Sequence, residues 1–125
     1  MSEDGQYTVG STEVSTTDRD FLRSISIDAD EQDRLFPSVT DAFRFCFALG
    51  IAHDGRCEPG RPLTSIAPRQ FLPEDYLDIL LPIAQETSRS LGGIASEFGC
   101  YGIALVRERI DSGEPVFNLV EEVLD

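Results

Sequence analysis

The run that decides the fold is Pro37–His53, PSVTDAFRFCFALGIAH, the most apolar stretch of the sequence. It opens with residues typical of a helix start, because Ser38 and Asp41 offer oxygen acceptors to the free N–H groups of a first turn. Apolar residues then recur at steps of three and four and cover nearly the whole circumference. A helix over 38–52 with so little polar surface predicts the centre of a small domain, covered on several sides.

The residues before this run predict less regular structure. Residues 1–17 are polar and acidic, which favours a flexible N-terminal arm over the alternative of one loosely held strand. A cap at 17–20 predicts a short helix over about 18–25. A further turn is expected over 31–36, and it ends at Pro37 because the residue before a proline avoids the helical region.

The residues after the central run predict further helices. Pro73 is followed by two carboxylates, which is typical of a helix start, and Pro82 is expected to kink or split that helix. Gly92-Gly93 then closes the segment. A long helix is expected over about 94–110, and 116–124 form a short terminal helix or an extended tail. No strand is predicted with any strength, although a brief extended segment could run over residues 63–67.

These elements together predict a mainly α fold. We expect a compact single-domain bundle of five or six helices around the central apolar helix, with a domain over 18–125 and a Pro/Gly/Arg-rich loop over 53–72. The length allows one domain with an independent core. The sequence has neither an apolar run that would span a bilayer nor a signal peptide, so we expect a cytoplasmic protein without a membrane partner.

The charge composition points to a salt-rich setting. The formal net charge is −13, and all ten basic residues are arginine, since the sequence contains no lysine. At molar salt the Debye length falls to about 3 Å, so repulsion among carboxylates costs little. An acidic, lysine-free surface therefore indicates a halophilic archaeon. In such a protein, net negative charge does not by itself exclude contact with nucleic acid.

One stretch of the loop is locally basic. Arg56, Arg61 and Arg69 lie among proline and glycine residues that already restrict the backbone. The guanidinium fork matches the oxygens of phosphate and carboxylate groups, so these arginines are candidates for contact with an anion, with DNA or with an acidic partner. The alternative is that they pair with acids of the same chain.

No catalytic or metal-binding motif stands out. His53, with Cys57 nearby, suggests a metal or nucleophile site, but a zinc site needs three or four convergent ligands, and a Cys–His pair lacks a third orienting group here. A polar residue at a helix end is the simpler interpretation of His53. Cys46 and Cys100 are expected to pack in the interior, and a cytosolic setting disfavours disulfides. No cofactor is predicted.

The pattern from Phe36 onward resembles a known family, the DNA phosphorothioation (Dnd) system-associated protein 4 group, in its haloarchaeal form. The matching residues are short motifs spread over about two-thirds of the chain: Phe36-Pro37, Thr40-Asp41-Ala42-Phe43, Phe45, Ala48-Leu49-Gly50, Gly55-Arg56, Pro59 or Pro62, Ile66, Phe71, Tyr76, Ile79-Leu80 and Pro82-Ile83-Ala84. The chain departs from the pattern in the extra Pro-Gly residues after Arg56.

This resemblance implies a role beside larger proteins. A member of the family would be a non-catalytic accessory or adaptor of a modification or restriction system. Such a system inserts sulfur into the DNA backbone or acts on DNA according to that modification, as a form of antiviral defence. Its partners would be the other proteins of that complex and, in some cases, DNA; self-association stays open. A small helical DNA-binding transcriptional regulator is the alternative function, and a small enzyme is a third class.

Overall fold

The computed structural model describes residues 8–66 and 73–114, the side chain of Glu74 excepted, and this part of the chain is mainly helical. The predicted fold class is confirmed at that level, but four α-helices are present among the described residues where five or six were expected. In chain order the elements are β1 (Glu13–Ser15), α1 (Thr16–Ser24), α2 (Val39–His53), β2 (Leu63–Ser65), a 3-10 turn (Pro73–Tyr76), α3 (Leu77–Thr87) and α4 (Leu91–Asp111).

Helix α2 occupies the predicted central position. Its N-cap is Ser38, whose hydroxyl oxygen accepts the Asp41 N–H at 3.1 Å and in turn donates to the Asp41 carboxylate at 2.9 Å. Asp54 ends the helix in the left-handed conformation, with φ at 52°. Six side chains along it are fully buried or nearly so: Thr40, Ala42, Phe43, Cys46, Phe47 and Leu49. The prediction of a buried helix at the centre of the domain is therefore confirmed.

Helix α4 packs against α2 at unusually short range. A Cβ atom added to Gly102 would lie 2.8 Å from the Cys46 Cα atom and closer still to the Cys46 carbonyl group. A Cβ added to Gly50 would meet the backbone of Phe98 in the same way. The two helices therefore touch backbone to backbone at these glycines. Phe47 and Phe98 meet edge to face beside them, with ring centroids 6.2 Å apart.

A two-stranded antiparallel sheet covers one part of this helix pair. The sequence analysis allowed a brief extended segment over residues 63–67 and, as an alternative, a loosely held strand within residues 1–17, but it did not predict that the two would pair. Residues 13–15 of β1 pair with residues 63–65 of β2, with Val14 opposite Thr64. Val14 is buried, as is Thr12 before it. The segment from residue 8 to residue 17, assigned to a flexible arm, thus includes a strand and the start of α1; residues 1–7 lie outside the described part of the chain. Because the paired residues are 48 to 52 positions apart in the sequence, neither three-residue strand carries a local signal of the pairing.

The helices that follow the loop also differ from expectation. Pro82 is exposed and α3 runs through it as one helix, so of the kink or split expected there, the split does not occur. The helix ends at Ser88, whose φ is 60°. Gly92-Gly93 lies within the first turn of α4, where a side chain on Gly92 would collide with the backbone of Ser11. This glycine therefore serves close packing and does not end a helix.

Two further expectations have different outcomes. Residues 31–33 form turns, without the helical turn expected over 31–36. The helix or tail predicted for 116–124 lies outside the described residues. Within the described ranges, none of the helices combines the length and the apolar character needed to cross a membrane.

Candidate functional site

A disulfide bond links the loop after α2 to the middle of α4. It joins Cys57 to Cys100 across 43 residues of sequence, with Cα atoms 5.6 Å apart. The expectation that these cysteines would stay unpaired is therefore wrong. That expectation was based on the reducing conditions of the cytosol and on the wide spacing of the cysteines in the sequence. Compartment and sequence spacing do not indicate which cysteines lie close together in the folded chain.

Noncovalent contacts hold the same loop in place. Gly55 lies against the ring of Tyr101, so closely that an added Cβ would overlap the ring atoms. The Gly55 N–H donates to the Gly50 carbonyl at 2.9 Å, and the Cys57 N–H donates to the Glu97 carbonyl at 3.1 Å. The loop therefore lies along α4 over its second and third turns, which fixes the direction of Arg56.

A nearly buried carboxylate gathers two arginines at this place. Glu97 is only 8% exposed, and its carboxylate forms ion pairs with Arg56, at 3.7 Å, and with Arg89. The Arg56 guanidinium also lies 5.7 Å from the centre of the Phe98 ring, within the range of a cation–π contact. A buried carboxylate needs such partners, since desolvation would otherwise disfavour its charged form. Glu97 thus positions both guanidinium groups.

Two adjoining pockets open beside these residues. The larger has a volume of about 400 Å³, and the smaller has about 160 Å³. They share Glu58 and Arg89, so we treat them as one depression, the arginine cleft. The cleft is lined by Cys57 of the disulfide and by six charged residues, Glu13, Arg56, Glu58, Arg61, Arg89 and Glu97. Three arginines face three carboxylates here, so the cleft is close to neutral in a chain whose net charge is −13.

The structure brings two of the three predicted contact residues together. Arg56 lines the larger pocket and Arg61 the smaller. Arg69 lies outside the described residues. Arg89, which the sequence analysis overlooked, joins them from the short connection between α3 and α4. Arg56 does pair with an acid of its own chain, as the alternative interpretation held, yet 40% of its side chain stays exposed, and Arg89 keeps 47%.

Comparisons with protein-family models, with curated proteins and with solved structures gave no match. The chemistry of the cleft therefore has to be argued from its own geometry.

The first turn of α4 adds no anion site to the cleft. The N–H groups that have no acceptor within the helix donate elsewhere: Leu91 donates to the Thr8 carbonyl at 2.8 Å, and Gly92 donates to the Val9 carbonyl at 2.7 Å. Gly93 donates to the Ser90 hydroxyl oxygen at 3.0 Å. A ligand at the cleft would therefore be held by the arginine side chains.

The other sequence candidates lie outside this chemistry. His53 is at the end of α2, with its ring 6.2 Å from the ring of Tyr101. The Cys57 sulfur is committed to the disulfide, and among the described residues no three or more His, Cys, Asp or Glu side chains are grouped so as to hold a metal ion. Cys46 is fully buried, and this burial raises the pKa of its thiol far above the ordinary value. It is therefore an inert core residue.

Proposed function

We propose that this protein is a non-catalytic accessory or adaptor of a DNA phosphorothioation-linked modification or restriction system. It acts through contacts with the larger proteins of that system and, at the arginine cleft, with an anionic group of its partner. The link to that system comes from the sequence resemblance between Phe36 and Ala84. The observation that carries the contact site is the convergence of Arg56, Arg61 and Arg89 on one cleft.

The arginine cleft suits an anion that presents two or more oxygen acceptors. Each guanidinium offers five N–H donors in a fixed fork, and the two oxygens of Glu97 engage only part of those on Arg56 and Arg89. Because both side chains remain partly exposed, donors are left for a phosphate, a phosphorothioate or a carboxylate. The ordered loop also reduces the entropy lost on binding, since Arg56 is already directed by Glu97 and Phe98.

The geometry favours an adaptor over the alternative of a DNA-reading regulator. A recognition helix needs exposed side chains that reach base edges. On α4, the Arg107 guanidinium pairs with Asp18 at 3.1 Å and lies 4.7 Å from the Phe21 ring centre, and Arg109 is engaged with Glu114. Each of these two arginines has a carboxylate partner of its own, whereas Arg56 and Arg89 share the single carboxylate of Glu97 and so keep more donors for a ligand.

The test is a titration of short duplexes, with and without one phosphorothioate linkage, at a salt concentration that keeps the protein folded. We expect the triple variant Arg56→Gln/Arg61→Gln/Arg89→Gln to bind at least about tenfold more weakly than the wild type. Its salt slope should also be smaller, by about one for each phosphate group that the variant no longer neutralises. The matched control is Arg23→Gln/Arg109→Gln, which removes arginines outside the cleft and should change affinity little.

The same variants separate protein contact from DNA contact. Each should be used as bait in extracts of the source organism at molar salt, with bound proteins identified by mass spectrometry. If the triple variant retains both DNA and the proteins that the wild type captures, the cleft is not a contact site. If the wild type captures no protein of a DNA modification or restriction system, the adaptor assignment is wrong.

A further inference from the structure

The disulfide borders the arginine cleft at one of its two ends. Cys57 lines the larger pocket together with Arg56 and Arg89, whereas Cys100 is absent from that lining. Both cysteines are half-buried. A reactant that enters the pocket therefore meets Cys57 first. Most structural disulfides are shielded from such approach, and accessible ones are the labile members of the class.

The charges at this end select among reactants. The attacking species in disulfide exchange is a thiolate, and Arg56 and Arg89 line the pocket in which it would reach Cys57. A second negative group on the same molecule would find the exposed N–H donors of Arg56 and Arg89. A positively charged thiol would instead meet like charge on both arginines, although the carboxylates of Glu58 and Glu97 oppose this effect. Glu97 is only 8% exposed, whereas Arg56 and Arg89 keep exposed N–H donors that can bond directly to an incoming carboxylate, so we expect the arginines to decide the preference at contact distance.

We propose that Cys57 is a thiol–disulfide exchange site whose preferred reactant is a low-molecular-weight thiol that carries a carboxylate. The incoming thiolate sulfur attacks the Cys57 Sγ and forms a new S–S bond to it. The Cys57–Cys100 bond breaks, and its electron pair leaves on the Cys100 Sγ, which takes a proton from water. A second thiolate can then displace the adduct as a symmetrical disulfide and leave both cysteines reduced.

This step changes the arginine cleft as well as the sulfur. Once Cys57 carries the adduct, the loop is held to α4 by noncovalent contacts alone, among them those of Gly55, of Glu97 and of Arg56 with the Phe98 ring. The inference depends on the pocket, the disulfide and the two arginines. It requires neither DNA nor a protein partner, so it stands or falls separately from the accessory function.

The test compares three small thiols of different charge on the folded wild-type protein: mercaptopropionate, mercaptoethanol and cysteamine. Reactions are quenched with acid at short times, and the adduct is located by peptide mass spectrometry. Because thiolate nucleophilicity rises with the pKa of the thiol, each per-thiolate rate is divided by the rate of the same thiol with a small neutral disulfide. In these normalised rates we expect mercaptopropionate to exceed cysteamine about tenfold, with mercaptoethanol between them, which corresponds to one favourable charged contact. The first adduct should be on the tryptic peptide 57–69, which contains Cys57.

Variants show whether the arginines cause the preference. In Arg56→Gln/Arg89→Gln the ratio between mercaptopropionate and cysteamine should fall to near one, while Arg23→Gln/Arg109→Gln should keep the wild-type ratio. The wild-type experiment is decisive even if the first variant folds poorly. An equal or larger normalised rate for cysteamine with the wild type, or a first adduct on Cys100 in peptide 90–107, would overturn the proposal.

Discussion

The variant Gly102→Ala is expected to lose about 3 kcal/mol or more of unfolding free energy. The added Cβ would lie 2.8 Å from the Cys46 Cα atom and nearer to the Cys46 carbonyl group. These are backbone atoms of α2, so no side-chain rotation relieves the collision. The two central helices would have to move apart, and the packing of Phe47 against Phe98 would open. Chemical denaturation followed by circular dichroism measures the effect.

A loss of stability in Gly102→Ala is informative, because helix propensity alone would make the alanine variant more stable. In an uncrowded helix, alanine in place of glycine stabilises by about 1 kcal/mol. Gly60→Ala, in the loop, controls for the substitution at an uncrowded site, because a Cβ there would have only the Ser15 Cβ atom near it, at 4.0 Å. That variant should be neutral or slightly more stable. A Gly102→Ala protein as stable as the wild type would mean that α2 and α4 do not touch at this point.

Removing the disulfide with Cys57→Ser/Cys100→Ser should cost up to about 4 kcal/mol of unfolding free energy under non-reducing conditions. This value is the chain-entropy estimate for a link across 43 residues, since the bond restricts the unfolded chain. Both positions are half-buried, so the serine hydroxyls can be hydrated and add little cost of their own. Denaturation midpoints of the oxidised wild type and of the variant give the difference.

Reductant supplies the internal control for this pair. A dithiol reagent should lower the stability of the wild type towards that of the double variant and leave the variant itself unchanged. If the oxidised wild type and the variant unfold at the same denaturant concentration, the link contributes nothing to stability, and the loop that carries Arg56 is held by noncovalent contacts alone.

The sequence predicted the centre of the fold because the relevant signals are local. Ser38 and Asp41 mark a helix start within four residues, and the apolar repeat over the following turns needs no distant partner. The actual helix, Val39–His53, differs from the predicted span by one residue at each end. The close approach of α4 was not predicted, because the need for a glycine at position 102 depends on the Cys46 backbone, which lies opposite it only in the folded chain.

The candidate site was predicted only in part, for a related reason. Arg56 and Arg61 were singled out by local composition, since they lie on a basic loop without lysine or regular structure. Arg89 and Glu97 join them only through tertiary contacts. A signal for Glu97 was nevertheless present: it is the one charged residue between residues 91 and 106, and such a carboxylate on an otherwise apolar helix is expected to have a partner. The Cys57–Cys100 pair offered no comparable local pattern.

The central claim is that the loop bearing Arg56 and Arg61 is fastened to α4 through Cys57 and Cys100, which places both arginines beside Arg89. Trypsin separates the three cysteines into peptides 45–56, 57–69 and 90–107, so non-reducing peptide mapping of protein purified without reductant tests it directly. The account predicts that peptide 57–69 is joined to peptide 90–107, with Cys46 unlinked in 45–56. A link that involves Cys46, or free thiols at both Cys57 and Cys100, would contradict it.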